Sequence, residues 1–305
     1  MTINKVGLIG LGAIGAPLAI ALNNSIKENF YIIANGKRKE RLEKGVLINN
    51  QLYYFNILEP NIPFKLDLII ICTKFNQLDK AIEDIYEFVD KNTKIIPFLN
   101  GVSAEEKLAQ SFGKDKIIYG FTRIAAMNEN NHITYAHSGC YYIGHPKNNP
   151  ILDDIKEISE LFNKAGIRHS IPEDMLADKW FKFMCNVGEN QVSAVLDIPF
   201  GAWNASDHAN TLREAAGNEV LMIARAKGID IKQEWINNQR ALLNKVPYHN
   251  NCSMVQDIHA KRKTEVDMFA LEVIRLGKEL NIPTPINDIL YHMIKVLEEK
   301  NDGKI

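Results

Sequence analysis

Ten residues into the chain, Gly10-Leu11-Gly12-Ala13-Ile14-Gly15 follows the apolar run Val6–Gly10 and opens a segment of helical character, Ala13–Leu22. A glycine at the first position permits a tight turn. One at the second lets backbone approach a pyrophosphate, and one at the third lets the helix pack closely on its sheet, with its N-terminus facing negative charge. The pattern alone is weak; its place between a strand and a helix gives it force. The following segments alternate in the same way: strand patterns at Phe30–Ala34, Leu66–Thr73 and Lys94–Leu99, helix patterns at Arg38–Lys44 and Leu78–Val89. Leu66–Thr73 is almost continuously apolar, as in a strand buried on both faces. Such alternation predicts a doubly wound, mostly parallel sheet.

Between Ile117 and Ile143 the pattern changes to shorter strands around a turn at Asn128–Asn131, followed by a helix over Leu152–Ala165 and a strand at Arg168–Ile171. Pro172-Glu173-Asp174 is a helix start and a natural boundary. Beyond it the periodicity is helical: Met175–Val195, Thr211–Lys227, Lys232–Asn244, Ser253 through to Leu280, and Pro285–Glu299. The expected architecture is an α/β Rossmann domain over residues 1–172, carrying the doubly wound sheet, plus an all-α domain over residues 173–305.

At 305 residues the chain is long enough for two such domains, and 46% hydrophobic residues with 24% charged ones suit a globular protein. The net charge of −1 is spread without any basic block, which argues against nucleic acid as a partner. The longest apolar run, Leu66–Cys72, includes Asp67 and is too short to span a bilayer, so no membrane association is expected. The first residues pass straight into the strand pattern, leaving no room for a signal peptide. Cys72, Cys140, Cys185 and Cys252 form no CxxC pair; reduced thiols in a cytoplasmic protein are expected, with no metal site. Cys185 is read as a core thiol rather than a nucleophile.

Cofactor choice is read at the end of the second strand, where an acid ordinarily binds the ribose hydroxyls. Here Ile33-Ala34-Asn35-Gly36-Lys37-Arg38 carries no acid before Glu40. Lys37 and Arg38 at a helix start are unfavourable toward the helix dipole unless an anion accompanies them, and a guanidinium suits a phosphate. The pattern points to NADP(H) rather than NAD(H).

In the second half, Lys182, Asn186 and Asn190 recur every four residues, one stripe of a helix. Trp180, Phe181, Phe183, Met184 and Val187 surround them and would bury the same helix. Polar groups buried without partners cost about 1–3 kcal/mol each, so such a stripe is either solvated or matched to a polar ligand. A substrate with a carboxylate and a carbonyl is such a ligand. Lys179, one turn earlier beside Trp180, reads as a solvated base.

The set formed by Gly10-x-Gly12-x-x-Gly15, Cys72-Thr73-Lys74, Leu99-Asn100-Gly101, Lys182-x-x-x-Asn186-x-x-x-Asn190, Ser253-Met254-Val255-Gln256-Asp257 and Arg262-Lys263-Thr264-Glu265 resembles the ketopantoate reductase (2-dehydropantoate 2-reductase) family, in order and over nearly the whole chain. The resemblance implies NADPH-dependent reduction of a small 2-oxo acid in pantothenate synthesis. It makes Lys182 the general acid and Glu265 its support, Glu265 also lying at the cofactor. Lys74 and Asn100 would sit at cofactor and substrate, Asn186, Asn190 and Ser253 on the substrate, and Asn250 where a further substrate amide is expected. The cofactor would lie on Gly10, Leu11, Gly12, Ala13, Ile14, Gly15, Asn35, Lys37 and Arg38. Lys74 and Asn100 end strands at the carboxyl edge, where open α/β sheets bind ligands, while Ser253 and Glu265 belong to the helical half, so the implied site is an interdomain cleft in a monomer or homodimer.

Two features depart from the family pattern. Gly188-Glu189 puts a flexible residue and an acid into the helix, the acid expected to point off the stripe, and Ile198–Trp203 lacks an asparagine that some members contribute. His249 and His259 compete weakly as general acids. The rivals are reduction of a different 2-oxo acid, opine-type condensation with an amine, and non-catalytic NADPH sensing.

Overall fold

The computed structural model describes residues 3–124, 126–129, 132–135 and 139–305. The chain divides into two compact units, Met1–Met175 and Leu176–Ile305.

The first unit is built on five parallel strands, β1 (Val6–Ile9), β2 (Phe30–Ile33), β5 (Ile57–Leu58), β6 (Leu68–Ile71) and β7 (Lys94–Pro97), in the order β5-β2-β1-β6-β7. Period-2 alternation divides the apolar side chains between two cores. Val6, Leu8, Leu68, Ile70 and Ile96 face one core, closed by α1 (Gly15–Ile26) and α5 (Asp153–Lys164). Ile9, Ile69, Ile71 and Ile95 face the other, closed by α3 (Leu78–Ile85) and α4 (Ala104–Phe112). All of β6 is buried, which explains its unbroken apolar run. Each such side chain contributes roughly 1.5–3 kcal/mol of transfer free energy.

Two smaller sheets flank this one. β4 (Gln51–Tyr53), β3 (Val46–Ile48), β10 (His132–Tyr135) and β9 (Ala126–Glu129) form the first; β12 (His169–Ser170), β11 (Cys140–Gly144) and β8 (Tyr119–Arg123) form the second. Of the turn expected at Asn128–Asn131, Asn128 and Glu129 instead belong to β9, paired with Ile133 and His132 of β10. Residues 130 and 131 lie outside the described residues. α2 (Gly36–Glu43) completes the unit's helices.

The second unit contains α6 (Met175–Leu196), which begins at the last residue of the first, then α7 (Ala202–Ala205), α8 (Asp207–Ala226), α9 (Gln233–Leu243), α10 (Ser253–His259), α11 (Glu272–Leu280) and α12 (Pro285–Asn301). The continuous helical stretch expected from Ser253 to Leu280 is broken. The chain leaves α10, takes a left-handed residue at Lys261 (φ 52°), and re-enters through a π-helical turn at Asp267–Leu271. Two side-chain clamps hold the break. Arg262 Nε donates to Asp257 Oδ1 at 2.7 Å, and the Thr264 amide and hydroxyl donate to Glu298 Oε1 at 2.8 and 2.7 Å. Burial alone would raise the Glu298 carboxyl, but these donors and Lys295 hold it below its ordinary value. The N-terminus of α12 is capped from a distance. Glu219 of α8, itself buried, accepts from the amides of Ile286 and Asn287 at 2.8 and 3.0 Å. A carboxylate there satisfies orphan donors and complements the helix dipole.

Candidate functional site

In the first unit, Ile9, Ile71 and Pro97 are register partners across β1, β6 and β7. Gly10, Cys72 and Phe98 therefore leave the sheet at one level, at its carboxyl edge, and the ladder continues one step through Cys72 N to Ile9 O and Phe98 N to Ile71 O, both 2.8 Å. The chain runs from β1 to β2 on one side and returns to β6 on the other, so the strand order reverses at this point, where such sheets bind ligands.

The three glycines differ in what they permit. Gly10 has φ 103°, and a Cβ there would lie 2.4 Å from the Cys72 carbonyl carbon. A Cβ on Gly15 would lie 2.3 Å from the Gly10 carbonyl oxygen, whereas one on Gly12 would meet nothing within 4 Å. Gly10 and Gly15 are thus required by the protein's own backbone, and Gly12 opens onto space a bound group can approach. Leu11 is buried, while Ala13 and Ile14 are partly exposed. Cys72, beneath the loop, has its thiol pushed well above its ordinary range by burial, which makes it a packing residue and not a nucleophile.

Asn35, Lys37 and Arg38 follow β2 at the start of α2. Asn35 and Lys37 are exposed and Arg38 is partly so. The first turn of α2 carries no acid, and Asn35 makes no side-chain cap. Burial, then the Arg41 guanidinium, lower the Arg38 pKa from its ordinary value, with Asp84 acting in the opposite sense. Lys39 is engaged elsewhere, by Glu59 at 2.5 Å and Glu43 at 3.7 Å. Lys74 is exposed at the turn after β6, and Asn100 is partly buried after β7.

In the second unit, Lys182 and Asn186 are partly buried and Asn190 is buried on α6. Ser253, the first residue of α10, donates its hydroxyl to Asn190 Oδ1 at 3.4 Å, and Cys252 Sγ lies 3.7 Å from the Asn190 carbonyl oxygen. The structure thus brings together two of the expected substrate residues. Asn250 is exposed, and its carbonyl accepts the Phe200 amide at 2.9 Å, tying it to the segment Ile198–Trp203. Glu265 is partly buried between the Thr264 clamp and the π-helical turn, and its carbonyl accepts the amides of Met268 and Phe269.

The apolar neighbours of the stripe, Trp180, Phe181, Phe183, Met184 and Val187, are all buried. Lys179 is not the solvated base expected: it is 2% exposed, because the face of α6 it occupies is packed. Glu189 lies off the stripe, held behind the helix by Gln239 Nε2 at 2.6 Å and Arg213 Nη1 at 3.9 Å. Gly188 permits that packing, since a Cβ there would lie 2.5 Å from the Arg213 carbonyl oxygen. His259 pairs with Asp197 at 2.7 Å, and His249 rests edge-on against Tyr248. Among the described residues, no group of three or more His, Cys, Asp or Glu is placed to hold a metal ion, and no helix is long and apolar enough to cross a membrane.

Comparison with known proteins follows both units. The family described as ketopantoate reductase PanE/ApbA matches residues 6–148, and its C-terminal counterpart matches residues 174–298. A 2-dehydropantoate 2-reductase of Pyrococcus horikoshii is 29% identical over 98% of this chain and 99% of its own. Among solved structures, D-mandelate dehydrogenase with NADH and anilino(oxo)acetate superposes with a TM-score of 0.87 at 21% identity, covering 98% of this chain and 99% of that one. A dimeric ketopantoate reductase from Staphylococcus aureus superposes with a TM-score of 0.82 at 18% identity, covering 97% and 99%.

Proposed function

We propose that this chain, which belongs to the ketopantoate reductase family, reduces 2-dehydropantoate to (R)-pantoate with NADPH as a cytoplasmic enzyme of pantothenate and coenzyme A synthesis. The observation that carries the reading is the pairing of Ser253 with Asn190 on the helix that also bears Lys182 and Asn186. In this reading residues 1–172 hold the cofactor and residues 173–305 supply the substrate groups.

The open face at Gly12, with the glycine loop leading into α1, fits a pyrophosphate, and Lys37 and Arg38 suit a 2′-phosphate. A bound reduced nicotinamide supplies hydride to the 2-oxo carbon. The Lys182 ammonium stabilises the developing alkoxide and gives it a proton. Asn186, Asn190, Asn250 and Ser253 orient the carboxylate and hydroxyl of the substrate. Glu265 holds the lysine in its charged form, and Lys74 and Asn100 orient the carbonyl against the cofactor. The family match and the Pyrococcus relative favour ketopantoate; the likeness to D-mandelate dehydrogenase favours, as a second reading, a 2-oxo acid with an aryl substituent.

The test is cofactor oxidation across a panel of 2-oxo acids, each with NADPH and with NADH, with and without added amines. Ketopantoate with NADPH should show the highest kcat/KM. A maximum at an aryl 2-oxo acid would select the second reading. Turnover only with amine would indicate an opine-type enzyme, and binding without turnover a sensor. Sedimentation distinguishes monomer from homodimer.

A further inference from the structure

Tyr141 lies on β11, in a small sheet outside the parallel one, yet it reaches the glycine loop. Its hydroxyl donates to the Ile14 carbonyl oxygen at 2.9 Å, across 127 residues of chain. Its ring packs edge-on against Phe98, the first residue after β7, with centroids 5.0 Å apart. Cys72, the first residue after β6, packs against the same buried cluster. One side chain thus meets, directly or through that cluster, the three segments that leave the sheet at Gly10, Cys72 and Phe98.

Ile14 is the residue before Gly15 and stands at the N-cap position of α1 without a side-chain cap. A trans peptide is planar, so its carbonyl and the next amide point in opposite directions. Anchoring the Ile14 oxygen on the protein side therefore aims the Gly15 N–H away from it, out of the helix N-terminus, where anions bind. We propose that Tyr141 is a positioning residue for the dinucleotide, orienting the Ile14–Gly15 peptide so that its amide faces the pyrophosphate. The inference rests on the dinucleotide reading of the glycine loop. Burial, with smaller contributions from Cys72 and Tyr135, raises the Tyr141 phenol well above its ordinary value, so it remains a hydrogen-bond donor across the working pH range.

Tyr141→Phe keeps the ring on Phe98 and removes only the donor. Tyr142→Phe is the control: Tyr142 lies on the opposite face of the strand, stacked on Phe121 at 4.4 Å. The measurement is fluorescence titration of the full-length protein with NADPH and with NADH, together with kcat at saturating cofactor. Tyr141→Phe should raise both dissociation constants by the same factor, about three- to tenfold for one lost hydrogen bond. It should leave kcat within about twofold, and Tyr142→Phe should leave binding unchanged. Equal affinity of Tyr141→Phe and the unmodified protein, an effect on one cofactor only, or an equal loss in Tyr142→Phe would overturn the inference and leave the dinucleotide reading standing. Failure of the unmodified protein to bind either dinucleotide would overturn both.

Discussion

Lys182 lies on a helix whose surrounding apolar side chains are buried, and the acid role proposed for it depends on the stripe it shares with Asn186 and Asn190. Lys182→Ala should lower kcat by roughly 100- to 10,000-fold, the range for losing a positioned proton donor, and leave the NADPH dissociation constant unchanged. Lys74 is the competitor. If Lys74→Ala removes the basic limb of the pH–rate profile and Lys182→Ala retains it, the two roles are exchanged. Lys179 is no neutral control, because at 2% exposure its removal opens a packed face. If Arg38 meets the 2′-phosphate as proposed, Arg38→Ala should raise the KM for NADPH at least tenfold and leave that for NADH within about twofold, since a charge-assisted phosphate contact is worth roughly 1.5–3 kcal/mol. Equal losses with both cofactors would remove Arg38 from the 2′-phosphate.

The helix α6 shows how far an element can be read from residues alone. Its polar stripe and apolar flanks are visible in a four-residue spacing, and so is the glycine loop that opens α1. The back of α6 is not: Glu189, Gln239 and Arg213 are far apart in sequence, and their pairing exists only once α8 and α9 are packed. The short strands β3, β4 and β5 also leave little trace, because two or three residues are too few to show a period. The break after α10 is hidden for a different reason. Arg262 and Thr264 look like helix residues, yet Asp257 and Glu298 clamp them into a turn. Gly188 and Gly217 give a test of the packing. Alanine gains about 1 kcal/mol over glycine inside a helix, while overpacking costs about 1–3 kcal/mol. At Gly188 the obstacle is a backbone oxygen at 2.5 Å, so Gly188→Ala should lower the melting temperature. At Gly217 the nearest atom is the flexible Met184 Cγ at 3.3 Å, so Gly217→Ala should be neutral or stabilising. Thermal melts showing the reverse order would refute this account of the α6–α8 contact.

For the whole molecule, stability toward acid has an identifiable weak point in the first unit. Asp154, at the start of α5, accepts from His145 at 3.0 Å and pairs with Lys94, at the start of β7, at 3.0 Å. Burial opposes its ionisation, but these partners hold its carboxyl well below the ordinary value near 3.8. A depressed carboxylate stabilises the fold above its unfolded pKa and loses that contribution as pH falls through the folded one. Asp154→Asn should therefore destabilise the protein by about 1–3 kcal/mol near neutral pH, with the difference from the unmodified protein shrinking below about pH 4. A constant difference down to pH 2 would show that charge is not its source. The two-sidedness of α6 has a further consequence for redesign. The side proposed to meet substrate, with Lys182 and Asn186 partly buried, is separate from the side packed on α8 and α9, with Gly188 and Glu189. A mutational library confined to the partly buried Asn186 and the exposed Ser253 can thus search new substrates with the least disturbance of packing, whereas one that includes residue 188 or 189 trades away folded protein before selectivity is ever sampled.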